Sequence, residues 1–250
     1  MRMGDLTRDA FLGGRVILWQ PAKGYRAGVD PVLLAAAVPA VAGQTALDLG
    51  CGVGAAALCL AARVPGVSVV GLERQPDYAA LARRNAEENG AAFEVFEGDL
   101  AAPPAALRQM QVAHVLANPP YYDAAARSAA ADPGREAALA EETPLAVWLD
   151  AGLRRLKPRG TFSLIQRADR LPDLLSACDA RLGSLTLRPV VPRDGRNASL
   201  VLLQGVKGGR AAFRLLPPLV MHEGARHERD GESYRPEVSA VLRDAAALPR

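Results

Sequence analysis

Thr45-Ala46-Leu47-Asp48-Leu49-Gly50-Cys51-Gly52-Val53-Gly54 is the stretch that decides the fold. Its first five residues are an apolar run of strand length, and three glycines at alternate positions follow. Glycine tolerates the left-handed backbone of a sharp turn and lets a ligand approach the main chain. Ala55 to Arg63 reads as a helix, whose free N–H groups would point at that ligand. In open α/β sheets ligands bind outside the carboxyl ends of the strands. The turn is therefore the first candidate site.

Downstream the chain keeps alternating. Strands are expected at Val67 to Leu72, Ala92 to Phe96, Val112 to Ala117 and Gly160 to Gln166. Helices are expected at Asp77 to Asn89, near 103 to 110, from Thr143-Pro144 to Leu156, and from Leu171 to Leu182. This order predicts a mostly parallel sheet with right-handed crossovers. Leu185 to Val191 and Ala198 to Leu203 read as an antiparallel edge hairpin around Pro192 to Asn197. Ala211 to Leu216 reads as a further short strand. Upstream, residues 7 to 20 read as a β-hairpin turning at Gly13-Gly14. Asp30-Pro31 then reads as a helix start, with Asp30 as side-chain cap. The expected organisation is an N-terminal hairpin and helix (1–43), a core (44–216) and a tail (217–250) that is irregular except for a helix near 236 to 246. Asp123 to Glu136, rich in Ala, Gly, Asp and Ser, reads as a mobile loop.

The 250 residues are 50% hydrophobic and 23% charged, ordinary for a soluble domain with a real core. No apolar run reaches the roughly 18 residues of a membrane span, and Met1 to Asp9 lacks the apolar segment of a signal peptide. A cytoplasmic protein is expected. Cys51, Cys59 and Cys178 show neither CxxC pairing nor zinc spacing, so no metal is expected. The net charge of +3 permits a polyanionic partner without demanding one. His114, His222 and His227 are scattered and receive no role, while Trp19 and Trp148 read as core.

Glu73 ends the second strand of the alternating region, where an acid accepts hydrogen bonds from ribose hydroxyls. A nicotinamide site usually carries G-x-G-x-x-G. Here the pattern is G-x-G-x-G, preceded by Asp48. It resembles motif I of class I S-adenosylmethionine-dependent methyltransferases. The resemblance implies a Rossmann-like fold with a seven-stranded sheet. It also implies a cofactor site at Asp48, Gly50, Cys51, Gly52, Gly54 and Glu73. Asp99 and Leu100, after the third strand, then fall where that superfamily places an acid near the cofactor adenine.

Asn118-Pro119-Pro120-Tyr121 follows the fourth strand. It resembles motif IV of methyltransferases acting on planar amino nitrogens, such as adenine N6 or glutamine amides. A conjugated amine is a poor nucleophile because its lone pair is delocalised. The Asn118 side-chain oxygen and the Pro119 carbonyl can each accept one N–H. That favours a pyramidal nitrogen facing the cofactor methyl. Two prolines preorganise the acceptors. Tyr121 can stack on a base that has been flipped out or lies in a loop.

The order of motifs extends further. It runs from Gly24-Tyr25-Arg26 through Asp30 and Leu33-Leu34 to Leu156-Lys157-Pro158-Arg159-Gly160 and Tyr234-Arg235-Pro236-Glu237-Val238. Over residues 7 to 245 this resembles the bacterial tRNA1(Val) adenine N6-methyltransferase-like family. The resemblance implies methylation of an adenine beside a tRNA anticodon, with Arg26 to Asp30 bordering the cofactor pocket. Protein-glutamine enzymes share the tetrapeptide but carry a sizeable helical domain before the glycine loop, where 47 residues stand here. The alternatives are a glutamine or small-molecule amide methyltransferase, or a non-catalytic cofactor- or RNA-binding module. Candidate phosphate contacts are Lys23, Arg193, Arg196 and Lys207, with Arg8 and Arg15 near the hairpin. An ordinary solvated charge is the alternative for each.

Overall fold

The computed structural model of the protein describes residues 5–24, 26–123, 140–141, 143–224 and 233–249. The chain opens with β1 (Leu6–Phe11) and β2 (Val16–Pro21), then α1 (Asp30–Ala37), β3 (Thr45–Leu49), α2 (Ala55–Arg63), β4 (Ser68–Glu73), α3 (Pro76–Glu88), β5 (Phe93–Glu97) and α4 (Ala105–Gln109). It continues with β6 (Val112–Ala117), β7 (Tyr122–Asp123), β8 (Ala140–Glu141), α5 (Leu145–Arg155), β9 (Leu156–Arg167), α6 (Leu171–Ala177), β10 (Leu182–Val191), β11 (Leu200–Lys207), β12 (Arg214–Leu215), β13 (Leu219–Val220) and α7 (Pro236–Asp244).

The seven long strands lie in the order β10-β11-β9-β6-β3-β4-β5, and the two-residue strands β12 and β13 both pair with β10. β5, β4, β3, β6 and β9 are mutually parallel. β11 runs antiparallel to both β9 and β10, the expected edge hairpin. Period-2 alternation splits the core cleanly. Ala46, Val69, Leu116, Ile165 and Leu202 face one apolar cluster with α1, α2 and α3. Their neighbours Leu47, Val70, Val115, Leu164 and Leu203 face a second cluster with α4, α5 and α6. Helices cover both faces of a parallel sheet, so its strands read as continuous apolar runs.

After β3 the chain builds outward through β4 and β5, then returns to place β6 on the other side of β3. The carboxyl ends of β3 and β6 are thus adjacent, with Leu49 paired to Ala117. The glycine loop and Asn118 emerge side by side from that point, a topological switch point where α/β sheets bind ligands.

Several local expectations change. The N-terminal turn is a 3-10 turn over Leu12–Gly14 rather than a two-residue loop. Leu12 is buried, and Gly13 lies so close to α7 that a Cβ would sit 2.9 Å from the Arg243 carbonyl. Asp30 makes no side-chain cap on α1. The helix from Leu171 stops at Ala177, because Cys178 turns extended and Leu182 is claimed by pairing with Lys207 in the sheet. The expected late helix is α7, which buries Val238 and Val241, and the tail is more ordered than expected in that β13 joins the sheet. The expected loop after Asp123, Tyr25 and His227 lie outside the described residues.

Candidate active site

Asp48, Gly50 to Val53, Glu73, Asp99, Leu100 and Asn118 to Tyr121 line one cavity at the switch point, whereas Gly54, expected at the cofactor, is not in its wall. Two of the glycines answer to protein side chains. Gly50 has φ +62, and a Cβ there would stand 2.5 Å from the Trp148 ring. Gly54 has φ +86 and is closed off by the Phe93 ring at 2.6 Å. Gly52 has left-handed φ as well, but among the described residues nothing closes its face.

The loop is held by acids. The Gly52 N–H donates to Glu73 Oε2 (2.9 Å), and the Gln75 N–H to Oε1 (2.8 Å). The Ala57 N–H, in the first turn of α2, donates to Asp48 Oδ2 (3.2 Å). Burial raises the pKa of Glu73, against the pull of the Gln75 and Gly52 N–H bonds. Burial, with Glu73 nearby as a second negative charge, pushes Asp48 up to about 8. Two buried carboxyls in one cavity wall suit a ligand that brings positive charge. Each carboxylate oxygen also has a second lone pair for a ligand hydroxyl. Asp99 is exposed at the rim, where its Oδ1 accepts the Ala101 N–H (2.8 Å).

The tetrapeptide is fixed at its far end and open at its near end. Gln166, fully buried at the end of β9, donates from Nε2 to the Pro120 carbonyl (3.3 Å). The Tyr121 hydroxyl donates to Asp30 Oδ2. The Asn118 side-chain oxygen is buried and has no hydrogen-bond partner among the described residues. A buried acceptor without a donor costs about 1–3 kcal/mol, so an unpaired one calls for a ligand to explain it.

Sequence reasoning misplaced some residues. Arg26 and Asp30 are not in the cavity wall; Ala27 and Pro31 are. Arg26 is turned away to Asp9 (2.8 Å). Lys207 does not offer its charge to an outside phosphate. Its Nζ donates to the Leu153 and Leu156 carbonyls (2.6 and 2.7 Å) at the end of α5, where a cation meets the helix dipole. Arg193 binds the carbonyls of Glu223 and Gly224 and Ser233 Oγ, which ties down the C-terminal segment. Arg8 pairs with Glu88 (2.9 Å). Lys23, Arg15 and Arg196 are exposed. Arg74, Gln75, Tyr78 and Trp148 also line the cavity and were missed. The first two directly follow Glu73, so the strand end was the available signal. Among the described residues no cluster of His, Cys, Asp and Glu could hold a metal ion, and no helix is long and apolar enough to cross a membrane.

Residues 27–133 match the methyltransferase small domain family. A tRNA1(Val) (adenine(37)-N6)-methyltransferase of Porphyromonas gingivalis is 34% identical over 199 residues, 74% of this chain and 76% of that one. A release factor glutamine methyltransferase of Geobacter sulfurreducens is 44% identical over 75 residues, which span 30% of this chain and only 25% of that enzyme. The crystal structure of a predicted O-methyltransferase from Agrobacterium tumefaciens superposes with a TM-score of 0.73 at 29% identity, covering 88% of this chain and 99% of that one. Fold and site together define a class I methyltransferase. Within that class, the chain belongs to the tRNA1(Val) adenine N6-methyltransferase-like family.

Proposed function

We propose that this enzyme transfers a methyl group from S-adenosylmethionine to the exocyclic N6 of an adenine in structured RNA, with tRNA near the anticodon as the favoured substrate. The single observation that carries the reading is the buried, unpartnered Asn118 oxygen in the cavity wall. An amine N–H supplies the missing donor.

S-adenosylmethionine suits the residues present. The open face of Gly52 leaves room beside the main chain, the Glu73 lone pairs can take ribose hydroxyls, and the buried acids favour a cation. Bound there, it supplies a methyl on a positively charged sulfur and leaves as a neutral thioether. The protein's part is orientation. Asn118 Oδ1 and the Pro119 carbonyl take the two N–H groups, while Gln166 occupies the Pro120 carbonyl. The amine lone pair is then aimed at the methyl carbon, and in-line alignment supplies much of the rate. Once methylated, the nitrogen would be acidic and would give its proton to water, so Asn118 and Pro119 need only hold the amine and no strong general base is required. Tyr121 stacks on the base, a contact worth about 1–3 kcal/mol. Lys23 and Arg196, both exposed, remain the phosphate contacts of this reading.

Incubation of the protein with labelled S-adenosylmethionine and total tRNA, followed by nucleoside analysis, tests this directly. Labelled N6-methyladenosine is expected. Label on a protein glutamine and none on tRNA would move the enzyme to the second reading, which the 44% identity to the release factor enzyme favours.

A further inference from the structure

We infer that Asp30 is the positioning residue for Tyr121, setting the orientation of the aromatic wall against which the target base stacks. The inference rests on the reading above and deepens it. Asp30 and Tyr121 stand 91 residues apart in sequence, yet the Tyr121 hydroxyl donates to Asp30 Oδ2.

Among the described residues Asp30 makes no other side-chain hydrogen bond. It opens α1, but the N-cap position belongs to Val29, and α1 has no side-chain cap. Pro31 follows and carries no N–H to compete for the carboxylate. Burial raises the Asp30 carboxyl above its ordinary range, and the hydrogen bond from Tyr121 works against that rise by favouring the carboxylate that accepts it. Pro31 and Ala27, on either side of Asp30, line the cavity, so the anchor stands directly behind its wall.

The anchor is braced from behind. The Ala27 N–H donates to Gln20 Oε1 (2.7 Å), Gln20 Nε2 donates to Asp9 Oδ2 (3.0 Å), and Arg26 grips the same Asp9. The N-terminal hairpin thereby fixes the 26–30 segment. On the opposite side Gln166 fixes the Pro120 carbonyl, one residue before the ring. With its backbone pinned by Gln166 and its hydroxyl pinned by Asp30, the Tyr121 ring is held at both ends. A stacking surface held in place loses little entropy when the base arrives.

The test compares Asp30→Ala, Asp30→Asn, Tyr121→Phe and the double variant Asp30→Ala/Tyr121→Phe in steady-state methylation of tRNA, with cofactor affinity measured separately. Asp30→Ala and Tyr121→Phe should each lower kcat/KM for RNA by about 10- to 100-fold. Cofactor Kd should stay within about twofold. Asp30→Asn retains an acceptor oxygen and should stay within about threefold of wild type. The double variant should be no worse than the poorer single variant, because both remove one interaction. Multiplicative losses, an unaffected Asp30→Ala, or an Asp30→Asn as poor as Asp30→Ala would overturn the inference. A structural readout keeps it separable from the substrate assignment. The Tyr121 13Cζ resonance should shift in Asp30→Ala and hold near its place in Asp30→Asn. If wild type fails to methylate RNA, the substrate reading falls, and an unshifted resonance in Asp30→Ala would remove the pair as well.

Discussion

Asn85, buried on α3, donates from its side-chain amide to the Val53 carbonyl in the glycine loop (2.9 Å). The same side chain accepts the Trp19 N–H (2.8 Å) and donates to the Trp19 carbonyl (3.1 Å). One helix turn on, Asn89 repeats the pattern on Ile17. Two asparagines at i and i+4 thus stand in for a neighbouring strand along β2 and satisfy its inward backbone groups. Through Asn85 the N-terminal hairpin and the cofactor loop share one support.

Asn85→Ala should therefore act on both. It orphans the Val53 carbonyl and both main-chain groups of Trp19, and the folded state should lose about 2–4 kcal/mol. Cofactor affinity should fall as well, because the loop loses its brace. Asn89→Ala is the contrast. It should lower stability in urea unfolding while leaving cofactor titrations unchanged, since Asn89 does not touch the loop. Equal effects of the two variants on cofactor affinity would contradict the shared-support account.

Asn118→Ala removes the unpartnered acceptor and nothing that the described fold hydrogen-bonds. Stability should hold or rise slightly, because an unsatisfied buried oxygen disappears. Turnover should fall by about 100-fold or more. Cofactor Kd should be unchanged. Lost cofactor affinity in calorimetry would mean that this side chain serves the cofactor rather than the amine.

What could be read from the sequence was what depends on local period and local chemistry. Short apolar runs gave the strands and the stretches between them the helices, the glycine loop gave the switch point, and the prolines marked the tetrapeptide. What could not be read was long-range pairing of polar side chains. Asp30 looked like a helix cap because Asp-Pro is a capping pair, and only the fold brings Tyr121 to it. Lys207 looked like a phosphate contact because its charge was visible and the end of α5 was not. Gln166 and Asn85 were unremarkable polar residues within an apolar strand and a polar helix. Their work appears only when Pro120 and Val53 arrive from elsewhere in the chain.

The glycines separate into packing and binding roles, and alanine tests the division. Gly50→Ala drives a Cβ into the Trp148 ring at 2.5 Å in a left-handed backbone. Its cost should be global, about 2–4 kcal/mol of stability from overpacking and strain together. Gly52→Ala meets no atom of the described residues within 4 Å. Its stability cost should be confined to about 1–2 kcal/mol of backbone strain, with most of the damage seen in cofactor affinity. A Gly52→Ala protein that binds cofactor normally would show that the open face is not where the ligand lies.

Asp48 makes the cofactor site pH-dependent in a direction that can be worked out. Burial, the main cause, lifts its pKa from an ordinary value near 3.9 to about 8. The folded protein therefore holds this proton more tightly than the unfolded chain does. The neutral form's advantage is fully present at acid pH. Without ligand, stability contributed at Asp48 declines as pH rises from about 4 towards 8 and levels off above, with a slope of at most about 1.4 kcal/mol per pH unit. A cationic ligand in the same cavity favours the carboxylate, so binding near neutral pH should release a proton. Calorimetry at pH 7 in buffers of different ionisation enthalpy should detect that release, and cofactor affinity should climb with pH until about 8. Asp48→Asn should abolish the released proton and flatten the Asp48 part of the unfolding profile, leaving the part due to Glu73, whose burial acts in the same direction. Unchanged proton release in Asp48→Asn would assign the titration to another group and leave Asp48 as a loop support alone.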